Sequence, residues 1–151
     1  MADFELVEVP TQTVAVLRRV VPMSELTGFF GEAFGVVAGA LAAAGGQIAG
    51  PPFGWYHGMP TDTVDVSVGF PVAGDVHTPD GGVVVQERPG GRAVVGVHVG
   101  PYDAMEQTYR ELQAWLGERA LVPREDMWEE YLSEPVGDPA TWQTRIVTPL
   151  S

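Results

Sequence analysis

The pentapeptide Trp128-Glu129-Glu130-Tyr131-Leu132 holds the residue types best suited to chemistry in this chain. As a strand it sends Glu129 and Tyr131 to one face and Trp128, Glu130 and Leu132 to the other, because side chains alternate. By itself the pentapeptide describes a strand whose glutamates meet water and whose aromatics enter a core. A second segment changes that reading. Gly54-Trp55-Tyr56 stands in the first half of the chain where Glu129-Glu130-Tyr131 stands in the second. If the two strands meet, Tyr56, Tyr131 and Glu129 converge, and Gly54 leaves room for a ligand opposite the carboxylate. A carboxylate at the base of an aromatic-walled cleft suits a flat cation: the rings supply stacking and cation–π attraction, and charge pairing is strong in a dry site. Burial would also raise the carboxyl pKa, which fits general acid or base work. Trp55 and Trp142 are further candidates for the cleft, although neighbouring strand positions alternate faces.

The elements that must position these residues are themselves repeated. Pro10 and Pro89, Pro22 and Pro101, and Phe30 and Tyr109 share one offset. Each half reads as an apolar strand, a proline, a helical stretch, a strand ending in tyrosine and a strand ending at proline. Pro71 closes the first half and Pro149 the second. Residues 1–151 thus form a single domain with an internal repeat, 4–73 and 82–150. The predicted fold class is α+β: two pseudo-symmetric modules, each an antiparallel sheet with one main helix, and a ligand cleft between them.

Within the first copy, Phe4 to Val21 reads as extended with a break at Pro10. A helix follows, capped by Ser24 and stopped by Gly45-Gly46, with Leu26, Phe30, Phe34 and Val37 on its buried face. Its Gly and Ala content suggests close packing against the second helix. Strands are expected at Phe53–His57 and Thr63–Val72, the latter alternating Val64, Val66, Val68 and Phe70 against Asp65 and Ser67. A loop over Asp75–Gly82 carries a Pro-Asp-Gly-Gly turn. The second copy repeats the pattern: strands at Val83–Glu87 and Arg92–Val99, then a helix capped by Asp103 with Met105, Tyr109, Leu112 and Leu116 inward. Strands at Met127–Leu132 and Trp142–Thr148 complete it.

Composition bounds the function. Hydrophobic residues are 45% and charged residues 19%, which is globular rather than disordered. Eight Lys and Arg against twenty Asp and Glu give a formal charge of −12. No basic footprint exists for nucleic acid, and anionic membranes are disfavoured by the same sign. The negative field favours cationic ligands or serves solubility alone. There is no cysteine, so disulfides and thiolate catalysis are excluded. The N-terminus lacks the pattern of a signal peptide, and the apolar run Ala33–Gly46 is too short to span a bilayer, so a cytoplasmic location is expected.

Other candidates are weaker. Three scattered histidines give no metal-ligand spacing, and Asp62, Asp65 and Asp75 lack a calcium-loop pattern, so no metal or cofactor is expected. Neither Gly81-Gly82 nor Gly90-Gly91 opens a helix after a strand as a phosphate loop requires. Ser24 and Ser67 have no histidine nearby in sequence to complete a nucleophilic triad. His98 reads as hydrogen-bonded structure, and Tyr102, Tyr109 and Trp115 read as core.

The run Arg88-Pro89-Gly90-Gly91-Arg92-Ala93, then His98-Val99-Gly100-Pro101-Tyr102, Leu112-Gln113-Ala114-Trp115-Leu116, Trp128 to Pro135 and Trp142 to Pro149 resembles the GyrI-like small-molecule-binding superfamily. That superfamily includes the effector-binding domains of multidrug-sensing transcription activators. The resemblance covers nearly the whole chain and implies two modules with a cleft between them. It implies that Glu129 contacts cationic aromatic drugs, that Tyr131 lines the pocket, and that Tyr56 is an aromatic of the first copy. The expectation is a stand-alone binder of hydrophobic, often cationic aromatic small molecules, acting in sequestration or sensing. A second reading is a hydrolase of reactive cyclopropanoid natural products, with Glu129 and Tyr131 catalytic. A third is an inhibitor of a protein partner, although no acidic run mimics a DNA backbone. Oligomeric state stays open, since exposed strand edges can pair.

Overall fold

The computed structural model describes residues 3–74, 82–134 and 136–151. His77 and the expected turn at Pro79-Asp80-Gly81 lie outside the described residues, as does Pro135. The first copy contributes β1 (Phe4–Val9), β2 (Gln12–Pro22), α1 (Leu26–Ala43), β3 (Gln47–Ile48), β4 (Phe53–His57) and β5 (Thr63–Ala73). The second contributes β6 (Val84–Arg88), β7 (Gly91–Val99), α2 (Met105–Glu118), β8 (Asp126–Tyr131) and β9 (Gln143–Pro149). The strands form one curled antiparallel sheet in the order β1-β7-β9-β8-β4-β5-β2-β6, with β3 paired to β5. The fold is α+β, as expected.

That order reads as a palindrome of the repeat. β8 and β4 lie side by side at its centre, followed outward by β9 and β5, then by β7 and β2. The outermost strands are exchanged: β1 of the first copy pairs with β7, and β6 of the second pairs with β2. Pro10 separates the two strands involved in the first exchange. It cannot donate to a ladder, so the chain breaks there between β1 and β2. The central register is informative. Gly54 faces Glu129, while Trp55 faces Trp128 and Phe53 faces Glu130. Repeat-related residues are therefore direct partners at Gly54–Glu129, and the pseudo-twofold axis passes through that pair.

Three apolar clusters result. β2 and β5 pack under α1, burying Phe29, Ala33, Val37 and Leu41 with Val64, Val66 and Val68. β7 and β9 pack under α2 through Val94, Ile146, Met105, Leu112 and Leu116. The opposite face carries the third cluster, built from Val14, Val16, Phe53, Trp55, Val95, Trp128 and Val147. Each large side chain buried in this way contributes about 1.5–3 kcal/mol relative to exposure.

The helices differ from expectation in three ways. Ser24 and Asp103 do not cap them. Each lies in a one-turn 3-10 helix, Met23–Glu25 and Tyr102–Ala104, and the α-helical N-caps are Glu25 and Ala104, without side-chain bonds. The buried stripe of α1 is Phe29, Ala33, Val37 and Leu41: Val37 is buried as expected, while Leu26, Phe30 and Phe34 lie at its edge and are only partly buried. The glycines of α1 at 28, 31, 35 and 39 do not mark close packing: a Cβ at any of them meets nothing within 4 Å. The helical run Met23–Ala43 has a mean hydropathy of 1.5 and is long and apolar enough to cross a membrane by length and composition. The helix is thus longer than the apolar run 33–46, and one of its faces packs on β2 and β5.

Candidate functional site

Glu129 occupies the middle of β8, where alternation turns it toward the helices. It is only 8% exposed. Its Oε2 accepts a short hydrogen bond from the Tyr109 hydroxyl on α2. Its Oε1 accepts from Tyr131 at 2.8 Å and from Tyr56 at the long limit of 3.5 Å. Three phenols from both copies thus converge on one carboxylate. Burial pushes the Glu129 carboxyl above its usual range, while the hydroxyls of Tyr109, Tyr131 and Tyr56 oppose that shift. Burial and the adjacent carboxylate push all three phenols upward, so they remain donors at neutral pH.

An aromatic wall continues outward. Phe30 on α1 stands 5.9 Å from the Tyr131 ring and 6.5 Å from Tyr56, centroid to centroid. Phe34 lies 6.2 Å from Tyr131. Tyr102 stands 5.9 Å from Tyr131 and 5.2 Å from Trp142, and it is 40% exposed at the rim. A Cβ added at Gly54 would come within 2.8 Å of two Phe30 ring carbons and 3.0 Å of the Tyr131 hydroxyl. Gly54 therefore admits the Phe30 ring against the strand.

The structure brings Glu129, Tyr131, Tyr56 and Gly54 together and places Trp142 at the rim beside Tyr102. Trp55 is not brought there. It points to the opposite face, buried among the third cluster, with its indole N–H donated to Asp126 at 2.8 Å. The sequence reading missed Phe30, Phe34, Tyr102 and Tyr109 as site residues. Tyr109 was assigned to the core, yet its hydroxyl reaches the carboxylate; Tyr102 was also assigned to the core, yet it is exposed. The repeat itself carried the signal, since Phe30 and Tyr109 are a repeat pair, as are Gly54 and Glu129, and Tyr56 and Tyr131.

Two histidines have structural partners. His98 Nε2 donates to the Pro101 carbonyl at 3.1 Å, which leaves Nδ1 to accept from Thr108 at 2.6 Å. His57 Nε2 lies 2.8 Å from the Ser67 hydroxyl, a pair not evident in sequence. Ser67 is wholly buried, so this pair does not present a nucleophile to a substrate. Among the described residues, no group of three or more His, Asp or Glu side chains is placed to hold a metal ion.

The GyrI-like small molecule binding domain model matches residues 2–151. The chain belongs to the GyrI-like family. Solved structures agree on the fold. The EcmrR C-terminal domain aligns over 100% of this chain and 98% of its own, with a TM-score of 0.83 and 24% identity. This GyrI-like chain spans 57% of the EcmrR chain solved in a complex with DNA (TM-score 0.87, 24% identity). SAV2435, solved bound to tetraphenylphosphonium, aligns over 99% of this chain and 94% of its own, with a TM-score of 0.71 and 12% identity. A hydrolase from Listeria innocua aligns over 98% of this chain and 91% of its own, with a TM-score of 0.71 and 17% identity. No curated protein matches the sequence significantly.

Proposed function

We propose that this GyrI-like domain binds hydrophobic, often cationic aromatic small molecules at Glu129, in sequestration or sensing. One observation carries the reading: a carboxylate buried on the pseudo-twofold axis is ringed by aromatic side chains from both copies. A buried charge costs several kcal/mol unless it is paired, and the phenols offset part of that cost. A cation seated against the rings completes the pairing and adds cation–π attraction. The tetraphenylphosphonium bound to a protein of this fold is a ligand of the same class. Tyr131 and Tyr56 supply walls and hydroxyls, Tyr109 orients the carboxylate, and Phe30 packs beside both tyrosines. Tyr102 and Trp142 form the outer wall.

A thermal-shift screen against cationic aromatic dyes tests this, with Glu129→Gln alongside. A ligand at a hundred times its dissociation constant stabilises the fold by about 2.7 kcal/mol. Shifts that vanish in Glu129→Gln support the reading; shifts that persist unchanged refute charge pairing.

The same geometry favours a second reading. A carboxylate with a raised pKa beside phenolic hydroxyls is equipped to deprotonate water while a phenol protonates a leaving group. Glu129 and Tyr131 would then be catalytic in hydrolysis of an electrophilic natural product. Turnover decides: substrate consumed in excess over protein, and abolished in Glu129→Gln, establishes the enzyme.

A further inference from the structure

The face of the sheet opposite Glu129 holds a second polar cluster that the reading above does not use. Arg88, at the end of β6, is only 3% exposed. Its guanidinium carbon lies 4.1 Å from the Trp128 ring centroid and 4.5 Å from that of Phe53. Nη2 donates to Gln12 at 3.1 Å. Nε and Nη1 are buried without hydrogen-bond partners. Its carboxylate partner, Glu130, forms only a long ion pair, 4.0 Å from Nη2, and is shared with other donors. It accepts from Arg145 at 3.0 Å and from the Trp128 indole at 3.0 Å. Burial lowers the Arg88 pKa to about 10, as expected for an under-compensated cation.

The repeat shows that the fold does not require this cluster. Under the pseudo-twofold, Arg88 takes the place of Val9, Glu130 that of Trp55, and Arg145 that of Ser67. At those positions the first copy has Val9, Trp55 and Ser67, whose polar groups are paired: the Trp55 indole with Asp126, itself bonded to Arg124, and Ser67 with His57. The second builds a buried arginine, a glutamate and a further arginine there. These three line a cavity of about 230 Å³, whose other walls include Pro10, Pro51 and Pro71.

We propose that this cavity is a second ligand site, which takes a small organic monocarboxylate. The planar guanidinium of Arg88 offers parallel N–H donors that match the two oxygens of a carboxylate. Because Nε and Nη1 are buried, binding requires that group to turn toward the cavity. Arg145 adds a second positive charge, and the prolines receive an apolar body. Glu130 and the exposed Glu8 also border the cavity, which disfavours a second negative charge on the ligand. The class is therefore a monoanion with an apolar portion rather than a phosphate dianion.

Calorimetric titration of the full chain with benzoate tests the site, with benzyl alcohol and inorganic phosphate as comparison probes. Saturable benzoate binding is expected at millimolar concentration or tighter, about tenfold weaker or more in Arg88→Met. Glu129→Gln should leave it unchanged, which separates this site from the carboxylate on the other face. Circular dichroism checks the Arg88→Met fold; if that fold is lost, Arg145→Gln replaces it, with about threefold weaker binding expected. The proposal is overturned if benzoate does not bind, if benzyl alcohol or phosphate binds as tightly, or if the folded arginine variant binds like wild type.

Discussion

Glu129 joins two demands that pull against each other. Its burial disfavours ionisation, and its three phenol donors favour it. Because burial dominates, the folded carboxyl pKa is raised above the ordinary glutamate value of 4.5. The folded state then binds the proton more tightly than the unfolded chain does. The associated stability is complete below pH 4.5 and is lost as pH rises through the folded pKa. Glu129→Gln should accordingly gain in melting temperature over wild type at neutral pH, with the gap closing as the buffer is taken below 4.5. Cation affinity has the opposite sign, since only the carboxylate pairs with charge. Dye titrations across pH should show wild-type affinity falling on acidification before an ordinary carboxyl would titrate. At neutral pH, Glu129→Gln should weaken cationic ligands by about 1.5–3 kcal/mol and neutral ones of the same shape far less. Gly54→Ala places a methyl against Phe30 and the Tyr131 hydroxyl, so either the ring moves or the strands part. A destabilisation of about 1–3 kcal/mol in urea unfolding is expected. The convergence of Glu129, Tyr131 and Tyr56 was legible in the sequence because period-two alternation and the repeat together fix a face. Tyr109 was not, because spacing that fits a helix interior says nothing of where a hydroxyl on a long ring ends.

Strands were the most legible elements. Alternating valines such as Val64, Val66 and Val68 specify both a strand and its buried face. Their partners were not legible, since the exchange of β1 and β6 depends on contacts remote in sequence. The expected caps failed for a local reason: the 3-10 turns carrying Ser24 and Asp103 move the α-helical starts to Glu25 and Ala104. The helix ends repeat more faithfully. Gly45 follows the last turn of α1 with φ 76°, and Ala120 follows that of α2 with φ 53°. A side chain in the left-handed region is strained, and glycine is not. Ala120→Gly should therefore stabilise the protein by about 0.5–1 kcal/mol, read as a shift in urea midpoint at constant slope. Gly31→Ala and Gly35→Ala, on the open side of α1, should each add about 0.5–1 kcal/mol through helix propensity.

At the scale of the molecule, neither repeat is self-contained. β1 covers the edge of β7, and β6 covers the edge of β2. Cutting the chain between the copies leaves each half with a strand whose partner is on the other fragment. The two halves produced separately should be unfolded or aggregated by circular dichroism, and mixing them should restore one cooperative transition. Independent folding of either half would show that the exchanged strands are dispensable.

The axis through Gly54 and Glu129 carries a further consequence, one of ancestry. An assembly of two identical copies, each contributing one repeat, is bound by its own symmetry. Whatever residue one copy sets on the axis, the other sets beside it. Two glutamates there would repel, and one would hold its proton; two glycines would bring no charge at all. A lone carboxylate facing a bare backbone is open only to copies that have diverged. Two repeats carried in one chain are free to differ, and here they differ on the very line that relates them.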